Sequence, residues 1–448
     1  MADKMTKAEL MRIINDSEAA ELHDYIEDVN AYDIAELIPE LDDQALWKLC
    51  SLLQDEDLAK VLEQASDDQT VRMAQSITND ELIDVFHYME KDDITDLIGD
   101  LPVAQRKALM NQMLEGDRKV ITQLLKYPED SAGGIMTTAY ISLNEDQTVS
   151  QAMVKIRQIA NHTESIETVY VVDHSRKLVG TLSLRTVLTA DRNEKLTDIM
   201  KENPMYVHPE DDQELCAQLV SKYDLNSLPV VNNRGSILGI ITVDDVIDVI
   251  VQEYNEDILE LAGVNKEETI NTKLWDSVRM RLPWLLVNLA TAFMASMVVK
   301  GFESTIEKVV ALSASMTIIS GMGGNAATQT QSILVRQLSQ GEISTKKFAK
   351  AFFKEVLLGI VDGAACGVVA GAVLGIIYHN IWLGIIVVLA MIGNMVVAGV
   401  FGFLVPVVLK KLGADPAVSS SIFITTATDC LGFFIFLGLA TLVLPLLE

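Results

Sequence analysis

The chain has 448 residues and a formal net charge of −28 at pH 7, because 63 Asp and Glu residues outnumber 35 Lys and Arg residues. The acid is concentrated in residues 1–270, which carry 54 acidic and 23 basic residues, whereas residues 271–448 carry 9 and 12. This balance disfavours nucleic acid and anionic membrane surfaces as partners of the first part and suits cations, and four scattered cysteines indicate neither a disulfide framework nor a zinc site.

Residues 1–131 contain a short repeat of acidic helix starts. Asp43, Asp55, Asp67, Asp80 and Asp92 recur every 12 or 13 residues, and each is followed by an apolar pattern, as in DEDLAKVL. An aspartate at a helix start can accept free backbone N–H groups and favours the positive end of the helix dipole. The repeat predicts an acidic α-helical N-domain in which short helices stack their apolar faces into a coil.

Residues 132–252 contain a second, longer repeat. The stretch YVVDHSRKLVGTLSLRTVL from Tyr170 matches PVVNNRGSILGIITVDDVI from Pro229 at a constant offset of 59 residues. Each copy is typical of a strand, a turn, a strand and a helix. The pattern resembles a tandem pair of cystathionine-β-synthase (CBS) domains, α/β regulatory modules that often sense nucleotides or ions. We assign the two copies to 132–198 and 199–252. The resemblance makes ATP or another adenine nucleotide a candidate ligand, with Tyr170 stacking on the base and Arg185 contacting a phosphate.

A connecting helix predicted over 253–275 leads into an all-α domain over 276–448. Five apolar runs there approach the roughly 20 residues that a membrane-spanning helix needs, so we expect five spanning helices. The GMGGN motif in the second run permits a backbone break whose carbonyls face water. The runs are Leu282–Val299, Val309–Val335, Val356–Tyr378, Ile381–Leu409 and Pro416–Leu447.

Basic residues in the short loops predict the orientation, since they mark the cytosolic side of a membrane protein. Lys273, Arg279 and Arg281 precede the first run, five further basic residues lie between the second and third runs, and Lys410 and Lys411 lie between the fourth and fifth. We therefore expect a multi-pass protein of the inner or plasma membrane. Its N-terminal domains would be cytosolic and its C-terminus would lie outside.

The last apolar run contains one charged residue, Asp429. A charge at the middle of a bilayer costs about 3 kcal/mol on insertion scales, so such a residue indicates a functional site. Two copies related by a two-fold axis would place two carboxylates around one cation. Thr425 lies four residues earlier, on the same face of a helix. Asp362, in the third run, either lines a water-filled pocket or pairs with a neighbour.

Four stretches together resemble the MgtE family of magnesium channels. They are YPEDSAGGIMT from Tyr127, TVDDVIDVIVQEYNEDILELAG from Thr242, GMGGNAATQTQSILVR from Gly321 and GADPAVSSSIFITTATDCLGFFIF from Gly413. The resemblance covers nearly the whole chain in the family's domain order. It implies a homodimer with five spanning helices per subunit, a pore on the two-fold axis, and cytosolic domains that close the pore when Mg²⁺ is plentiful.

The resemblance also implies which residues bind Mg²⁺. In the pore these are Asp429, Thr425 through its carbonyl, Asn325, and Asp415 at the cytosolic mouth. The helix that includes the connecting segment carries acidic residues on more than one face. In a dimer these acids would repel those of the second copy unless divalent cations bridged them. They are therefore predicted, with acids of the N-domain and the CBS pair, to bind regulatory Mg²⁺. The regulatory set is Asp92, Asp96, Asp212, Glu214, Asp224, Asp245, Asp248, Glu253, Glu256 and Asp257.

Three alternatives remain open at this point. The transported ion could be another divalent cation, such as Co²⁺ or Mn²⁺. The protein could be a membrane-bound sensor that does not conduct, although the intramembrane aspartate favours conduction. A membrane enzyme is a weaker alternative, because the six histidines form no metal motif. The absence of a GxxxxGK[ST] loop argues against ATP-driven pumping, so we expect a channel or transporter and not an enzyme.

Overall fold

The structure is a computed structural model. It describes residues 5–16, 19–28, 31–160, 163, 165–266, 268–270, 272–339, 345–413, 415–416 and 420–447. The chain forms two compact units, Met1–Val249 and Ile250–Glu448.

Short helices make up the first part of the first unit, and the predicted starts are close to the observed ones. Three helices begin at the predicted aspartates, and two begin one residue earlier, at Asn79 and Lys91. Within the described part of residues 5–130 the α-helices are α1 (Lys7–Asp16), α2 (Ala19–Asp28), α3 (Ala31–Ala35), α4 (Asp43–Leu52), α5 (Asp55–Glu63), α6 (Asp67–Ser76), α7 (Asn79–Val85), α8 (Lys91–Asp100), α9 (Val103–Gln112) and α10 (Glu115–Leu124).

Side-chain caps fix where two of the short helices begin. Asp42 Oδ1 accepts a hydrogen bond of 2.8 Å from Ala45 N at the start of α4. At the start of α7, Glu81 N donates to Thr78 Oγ1 at 3.3 Å and Thr78 N donates to Glu81 Oε2 at 2.8 Å, a reciprocal capping box. In these two helices the acceptor role therefore belongs to the residue before the helix, and the repeated aspartates add negative charge to the first turn.

The short helices stack as the repeat predicts. Helices two apart in the sequence pack on each other: α3 on α5, α4 on α6, α5 on α7, α6 on α8, α7 on α9 and α8 on α10. Leu46, Leu62, Leu82 and Ile98 belong to one continuous apolar core along this stack. The apolar positions that follow each acidic start thus form the inside of a helical coil.

The CBS-like repeat forms two strand pairs with the same register. Tyr170 pairs with Thr181 in the first copy, and Pro229 pairs with Ile240, 59 residues later, in the second. Each pair has a register shift at the corresponding position, between Val171 and Val172 in the first copy and between Val230 and Val231 in the second. The elements are β1 (Ser142–Asn144), α11 (Val149–Ile159), β2 (Thr168–Val172), β3 (Leu178–Ser183), α12 (Leu184–Thr189), α13 (Leu196–Ile199), β4 (Lys201–Glu202), α14 (Gln213–Tyr223), β5 (Ser227–Val231), β6 (Ile237–Thr242) and α15 (Val243–Leu261).

The order of the strands shows how the copies are joined. The first sheet has the order β1-β2-β3-β4, and the second pairs β5 with β6. Thr137, before β1, forms an antiparallel bridge with Ile240 in β6, so the segment leading into the first copy completes the second. A Cβ at Gly133 in that segment would lie 2.5 Å from the Tyr127 ring, which explains why the SAGG turn needs glycine.

The connecting segment differs from the prediction. One helix, α15, runs from Val243 to Leu261 through the expected boundary at 252 and 253. It ends before Gly263, whose φ of +74° is the left-handed conformation that favours glycine after a helix. The next helix begins at Leu274. The segment 253–275 is therefore not one helix: its first part belongs to α15, its last two residues belong to the next helix, and the described residues between them are not helical.

The second unit is built from long helices. Among the described residues, four of them are long and apolar enough to cross a membrane by length and composition: Leu274–Gly301, Phe348–Ile377, Ile381–Lys411 and Ser421–Leu442. A fifth is equally long but more polar, because it carries Ser320, Asn325, Gln329 and Gln331. The helices are α16 (Leu274–Gly301), α17 (Glu303–Lys308), α18 (Ala311–Ser339), α19 (Thr345–Ile377), α20 (Ile381–Lys411), α21 (Ser420–Leu442) and α22 (Leu444–Leu447).

The expected break at GMGGN is wrong. Helix α18 continues through Gly321, Gly323 and Gly324 without interruption. Glycine costs about 1 kcal/mol in a helix relative to alanine, but here it allows close packing. A Cβ at Gly323 would collide with Asn394 of α20.

A stripe of glycines joins α19 to α20. A Cβ at Gly363 would lie 2.6 Å from Ile392 Cα, and one at Gly371 would lie 2.5 Å from Gly384 O. Small residues spaced four apart let two helix backbones approach closely in a membrane. The stripe on α19 consists of Gly359, Gly363, Gly367, Gly371 and Gly375.

Candidate ion site

Asp429 of α21 lies beside α18 and is half-buried. Ser320 Oγ of α18 donates a hydrogen bond of 2.5 Å to Asp429 Oδ1. The sequence interpretation missed Ser320, which is the residue directly before GMGGN. A hydroxyl donor holds the orientation of the carboxylate that accepts its hydrogen bond. The second carboxylate oxygen remains as an acceptor or a ligand for a cation.

Threonine hydroxyls near Asp429 are directed toward their own helix. Thr425 Oγ1 donates to Ser421 O at 2.9 Å, and Thr428 Oγ1 donates to Thr425 O at 2.9 Å. The carbonyl predicted to contribute at Thr425 therefore already accepts a hydroxyl hydrogen. A carbonyl oxygen has two lone pairs, and Thr425 itself is half-buried, whereas Thr428 is fully buried.

The polar face of α18 divides into exposed and buried residues. Asn325, Thr328 and Gln329 are exposed, whereas Thr330 and Gln331 are buried. No hydrogen bond joins Asn325 to Asp429 in the described part of the chain, so the structure does not bring these two predicted pore residues together within one chain. Both remain candidates for a site that a second chain completes.

Asn394 of α20 is a further polar residue that the sequence interpretation missed, since it lies in an uncharged apolar run. It is fully buried, and its Nδ2 donates to Ile319 O of α18 at 2.8 Å. Its signal in the sequence is the GN step in MIGNMVV, a single amide among apolar residues.

Two acids on α19 have different surroundings. Asp362 is exposed on the helix surface. Among the described residues, no hydrogen bond links Asp362 to the Asp429 site. Glu355 was not singled out from the sequence, yet its Oε2 accepts a hydrogen bond of 3.1 Å from Thr330 Oγ1 of α18. The side chain of Glu355 is only 16% exposed. Glu355 therefore links α19 to the polar helix.

Acids from the connecting helix and from the loop before α21 meet in the second unit. Desolvation, then repulsion from Asp415, Glu256 and Asp257, raises the pKa of Glu260 to about 7, against the opposing effect of Lys266. Lys266 Nζ also lies 3.1 Å from Glu256 Oε2. These four carboxylates and one ammonium leave an excess of negative charge around Glu260. Glu260 was missing from the predicted regulatory set, and Glu253, which was in it, is half-buried on the same helix.

The N-domain acids Asp92 and Asp96 both lie on α8. Asp92 is buried and Asp96 is exposed at its edge. Partial desolvation of the carboxyl, then repulsion from Asp92 and Glu129, raises the pKa of Asp96 to about 7. Solvent at the exposed edge screens this repulsion, but the direction shows that negative charge is crowded here, as in a site that a cation would neutralise.

Several predicted regulatory acids of the CBS pair have structural roles. Asp212 caps α14, because its Oδ1 accepts a hydrogen bond of 2.7 Å from Glu214 N. Asp224 ends the same helix in the left-handed conformation, with φ of 49°. Thr242 Oγ1 donates to Asp245 Oδ2 at 2.5 Å at the start of α15. Asp212, Asp224 and Asp248 are nevertheless exposed, so a cation can reach their carboxylates.

The two predicted nucleotide contacts differ in accessibility. Tyr170 is fully buried, its OH lies 2.6 Å from Ser227 Oγ, and its ring packs edge-on against Tyr140. The ring therefore has no free face for a base, and its predicted stacking role does not fit this structure. Arg185 is exposed on α12 and is available to a phosphate.

A single chain offers few groups to one cation. Among the described residues, no group of three or more His, Cys, Asp or Glu side chains has the arrangement of a metal site. Hard oxygen atoms suited to Mg²⁺ are present as the Asp429 carboxylate, the Ser320 hydroxyl and the Thr425 carbonyl. Mg²⁺ usually keeps several of its waters, so a hydrated ion needs fewer protein ligands.

Comparisons with protein families divide the chain into three kinds of domain. The model of the MgtE divalent cation transporter matches residues 316–439. The model of the MgtE intracellular N domain matches residues 29–130, and the CBS domain model matches residues 132–193 and 196–252.

Individual relatives cover most of the chain. Magnesium transporter MgtE of Bacillus subtilis is 35% identical over 332 residues, 74% of this chain and 74% of that protein. Magnesium transporter MgtE of Enterococcus faecalis is 38% identical over 72% of this chain and 71% of that protein. Among solved structures, the cytosolic domain of the Mg²⁺ channel MgtE in complex with ATP matches with a TM-score of 0.51 and 30% identity, over 54% of this chain and 98% of that one.

Proposed function

Because the chain belongs to the MgtE family of divalent cation transporters, we propose that it conducts Mg²⁺ across the cell membrane. Its acidic N-terminal part is cytosolic and closes the pore when it binds Mg²⁺. The observation that carries the proposal is the Asp429 carboxylate of the otherwise uncharged helix α21, oriented by Ser320 of the polar helix α18. The Mg²⁺ transporters among its relatives support the choice of ion.

The pore is shared by two chains in this proposal. One carboxylate per chain is a weak site for a divalent cation, whereas two copies around a two-fold axis provide two carboxylates. The exposed polar residues of α18, among them Asn325, then face the same axis, and Asp415 lies at the cytosolic mouth. A hydrated Mg²⁺ is held by oxygen acceptors without losing its whole water shell. The C-terminus lies outside the cell.

Gating follows from the charge of residues 1–270. Their net charge is −31 per chain, so two chains repel each other in low Mg²⁺, and bound Mg²⁺ offsets the repulsion. Moving a switch from mostly open to mostly closed takes about 5.5 kcal/mol of preferential binding. Several bridging sites share this requirement, at Asp92 and Asp96, at the CBS acids, and along the connecting helix, where Glu260 joins the predicted set.

Purified protein in liposomes tests the proposal directly. Mg²⁺ uptake is followed with an entrapped Mg²⁺ indicator, and Co²⁺ and Mn²⁺ are offered as competitors. We expect uptake that needs no ATP and that Mg²⁺ on the cytosolic side suppresses. Uptake of Mn²⁺ or Co²⁺ in preference to Mg²⁺ would favour the alternative ion, and the absence of any flux would favour the non-conducting sensor.

We further propose that the CBS pair binds an adenine nucleotide. The ATP complex of the related cytosolic domain supports this, and Arg185 is an exposed cation of the first copy. Calorimetry with ATP tests it, comparing the wild type with Arg185→Ala and with Arg157→Ala, a second arginine of the same copy, as the control. Equal affinities in all three proteins would remove Arg185 from the site.

A further inference from the structure

Asn394 lies at the point where three long helices meet. It belongs to α20, is 0% exposed, and donates from Nδ2 to Ile319 O of α18 at 2.8 Å. Ile319 directly precedes Ser320, whose hydroxyl donates to Asp429 of α21. One amide on α20 therefore holds the turn of α18 that orients the carboxylate.

Glycines on the two other helices make room for this side chain. A Cβ at Gly323 of α18 would collide with Asn394 Nδ2, and a Cβ at Gly432 of α21 would lie 2.7 Å from Asn394 Oδ1. Gly323 belongs to the GMGGN motif, and Gly432 lies one helical turn after Asp429. Glycines on both helices that form the site, α18 and α21, therefore leave room for the same Asn394 amide.

Packing alone does not explain an asparagine here. Asn394 Oδ1 is buried and has no hydrogen-bond partner among the described residues. A buried acceptor without a partner costs free energy that an apolar side chain would avoid. The Nδ2 group of the amide, in contrast, donates a hydrogen bond to the backbone carbonyl of Ile319, next to Ser320.

We propose that Asn394 is a positioning residue for the Asp429 ion site. Its amide fixes α18 relative to α20, and the Ser320 hydroxyl transmits that position to the carboxylate. Helix α20 suits this task because the glycine stripe of α19 packs closely against its backbone. The inference rests on the proposed function, since it assigns Asn394 a role in the binding of the ion that Asp429 contacts.

The test measures the Mg²⁺ dependence of uptake in liposomes for Asn394→Ala, Ser320→Ala and the double variant. Loss of an outer group that orients a ligand typically lowers metal affinity roughly tenfold, so we expect that fall in Asn394→Ala with little change in maximal flux. The double variant should be no weaker than the weaker single variant, because both act on the same carboxylate. Thr305→Val, which removes a 2.9 Å contact with Thr441 elsewhere on α21, should combine additively with Asn394→Ala.

A glycine pair tests the same role without changing the amide. Gly432→Ala forces Asn394 to move and should lower Mg²⁺ affinity in the same way. Gly438→Ala on the same helix should not, because no atom lies within 4 Å of its Cβ. Size-exclusion chromatography establishes that each variant is folded.

The outcomes separate this inference from the proposed function. Unchanged Mg²⁺ affinity in Asn394→Ala and Gly432→Ala, with Asp429→Asn inactive, overturns the positioning role alone. Strict additivity of Asn394→Ala with Ser320→Ala also overturns it. If the wild type itself carries no Mg²⁺, the proposed function fails first.

Discussion

Ser320 Oγ donates a 2.5 Å hydrogen bond to Asp429 Oδ1 although the two residues are 109 positions apart in the chain. The contact joins the most polar long helix of the second unit to the only carboxylate of α21. It gives the expensive intramembrane charge a defined orientation. The first prediction follows from this pair.

Removing the hydroxyl in Ser320→Ala should weaken Mg²⁺ binding in the pore. The carboxylate loses its donor and its fixed rotamer, and an effect of about tenfold on the apparent Mg²⁺ affinity is expected for a group of this kind. Ser313→Ala is the matched control, because Ser313 Oγ donates to Val310 O at 2.7 Å near the start of the same helix. Equal affinities in the two variants would show that the hydrogen bond to Asp429 has no part in ion binding.

Gating by Mg²⁺ should depend on pH near neutrality. The raised pKa values of Asp96 and Glu260, both about 7, mean that each carboxyl is mostly protonated at pH 6 and ionised at pH 8. Mg²⁺ must then displace protons at pH 6, so closure needs more Mg²⁺ at the lower pH, by up to roughly tenfold per pH unit for each proton displaced. Flux measured against cytosolic Mg²⁺ at both values checks this.

The variant that combines Asp96→Asn with Glu260→Gln provides the control for the pH prediction. Its closure should need more Mg²⁺ at pH 8 and should change little between pH 8 and pH 6. A pH dependence as steep as that of the wild type would assign the titration to other groups.

Neutralising several regulatory acids together should leave the pore open at high Mg²⁺. The set is Asp92, Asp96, Asp245, Asp248 and Glu256, each changed to its amide. Most of the repulsion between the two chains remains, because the net charge of residues 1–270 changes only from −31 to −26. Mg²⁺ then has too few ligands to bridge the chains and offset that repulsion. Limited proteolysis of the full chain should also lose the protection that millimolar-range Mg²⁺ gives the wild type. Normal closure in this variant would contradict the assignment of the gate to these acids.

The predicted topology can be tested by labelling single cysteines in intact cells. In a chain without its four native cysteines, His379→Cys in the turn between α19 and α20 should react with an impermeant reagent. Leu412→Cys, 76% exposed after α20, should react only after the membrane is permeabilised. Labelling of Leu412→Cys from outside would reverse the orientation derived from the basic loops.

The sequence predicted the architecture well where a pattern repeats at a constant spacing along the chain. The motif resemblance to the MgtE family is confirmed by relatives at 35–38% identity. The 59-residue offset reappears as strand register, and the acidic repeat reappears as helix starts. Backbone hydrogen bonds and the burial of one apolar face determine such local structures. Each repeat contains the residues that both effects require, so the sequence of one repeat is enough to predict its structure.

The features that the sequence did not predict depend on contacts between distant helices. Helix α18 is continuous through GMGGN, and Asn394 of α20 fills the space that Gly323 leaves. Neither segment alone shows this pairing. Tyr170, predicted to stack on a nucleotide base, is buried by Tyr140 and Ser227 from other parts of the pair. Glu260 lies in the family-like stretch from Thr242 but was not among the predicted acids, because its raised pKa arises from desolvation and from Asp415 in a later loop.

The central claim is that Asp429 binds the ion that crosses the membrane, and Mg²⁺ uptake by Asp429→Asn in liposomes tests it most directly. The substitution keeps the shape of the side chain and removes its charge, so the fold and the assembly should be retained. We predict that uptake is lost while the variant elutes like the wild type in size-exclusion chromatography. Uptake with wild-type rate and wild-type preference for Mg²⁺ would contradict the claim.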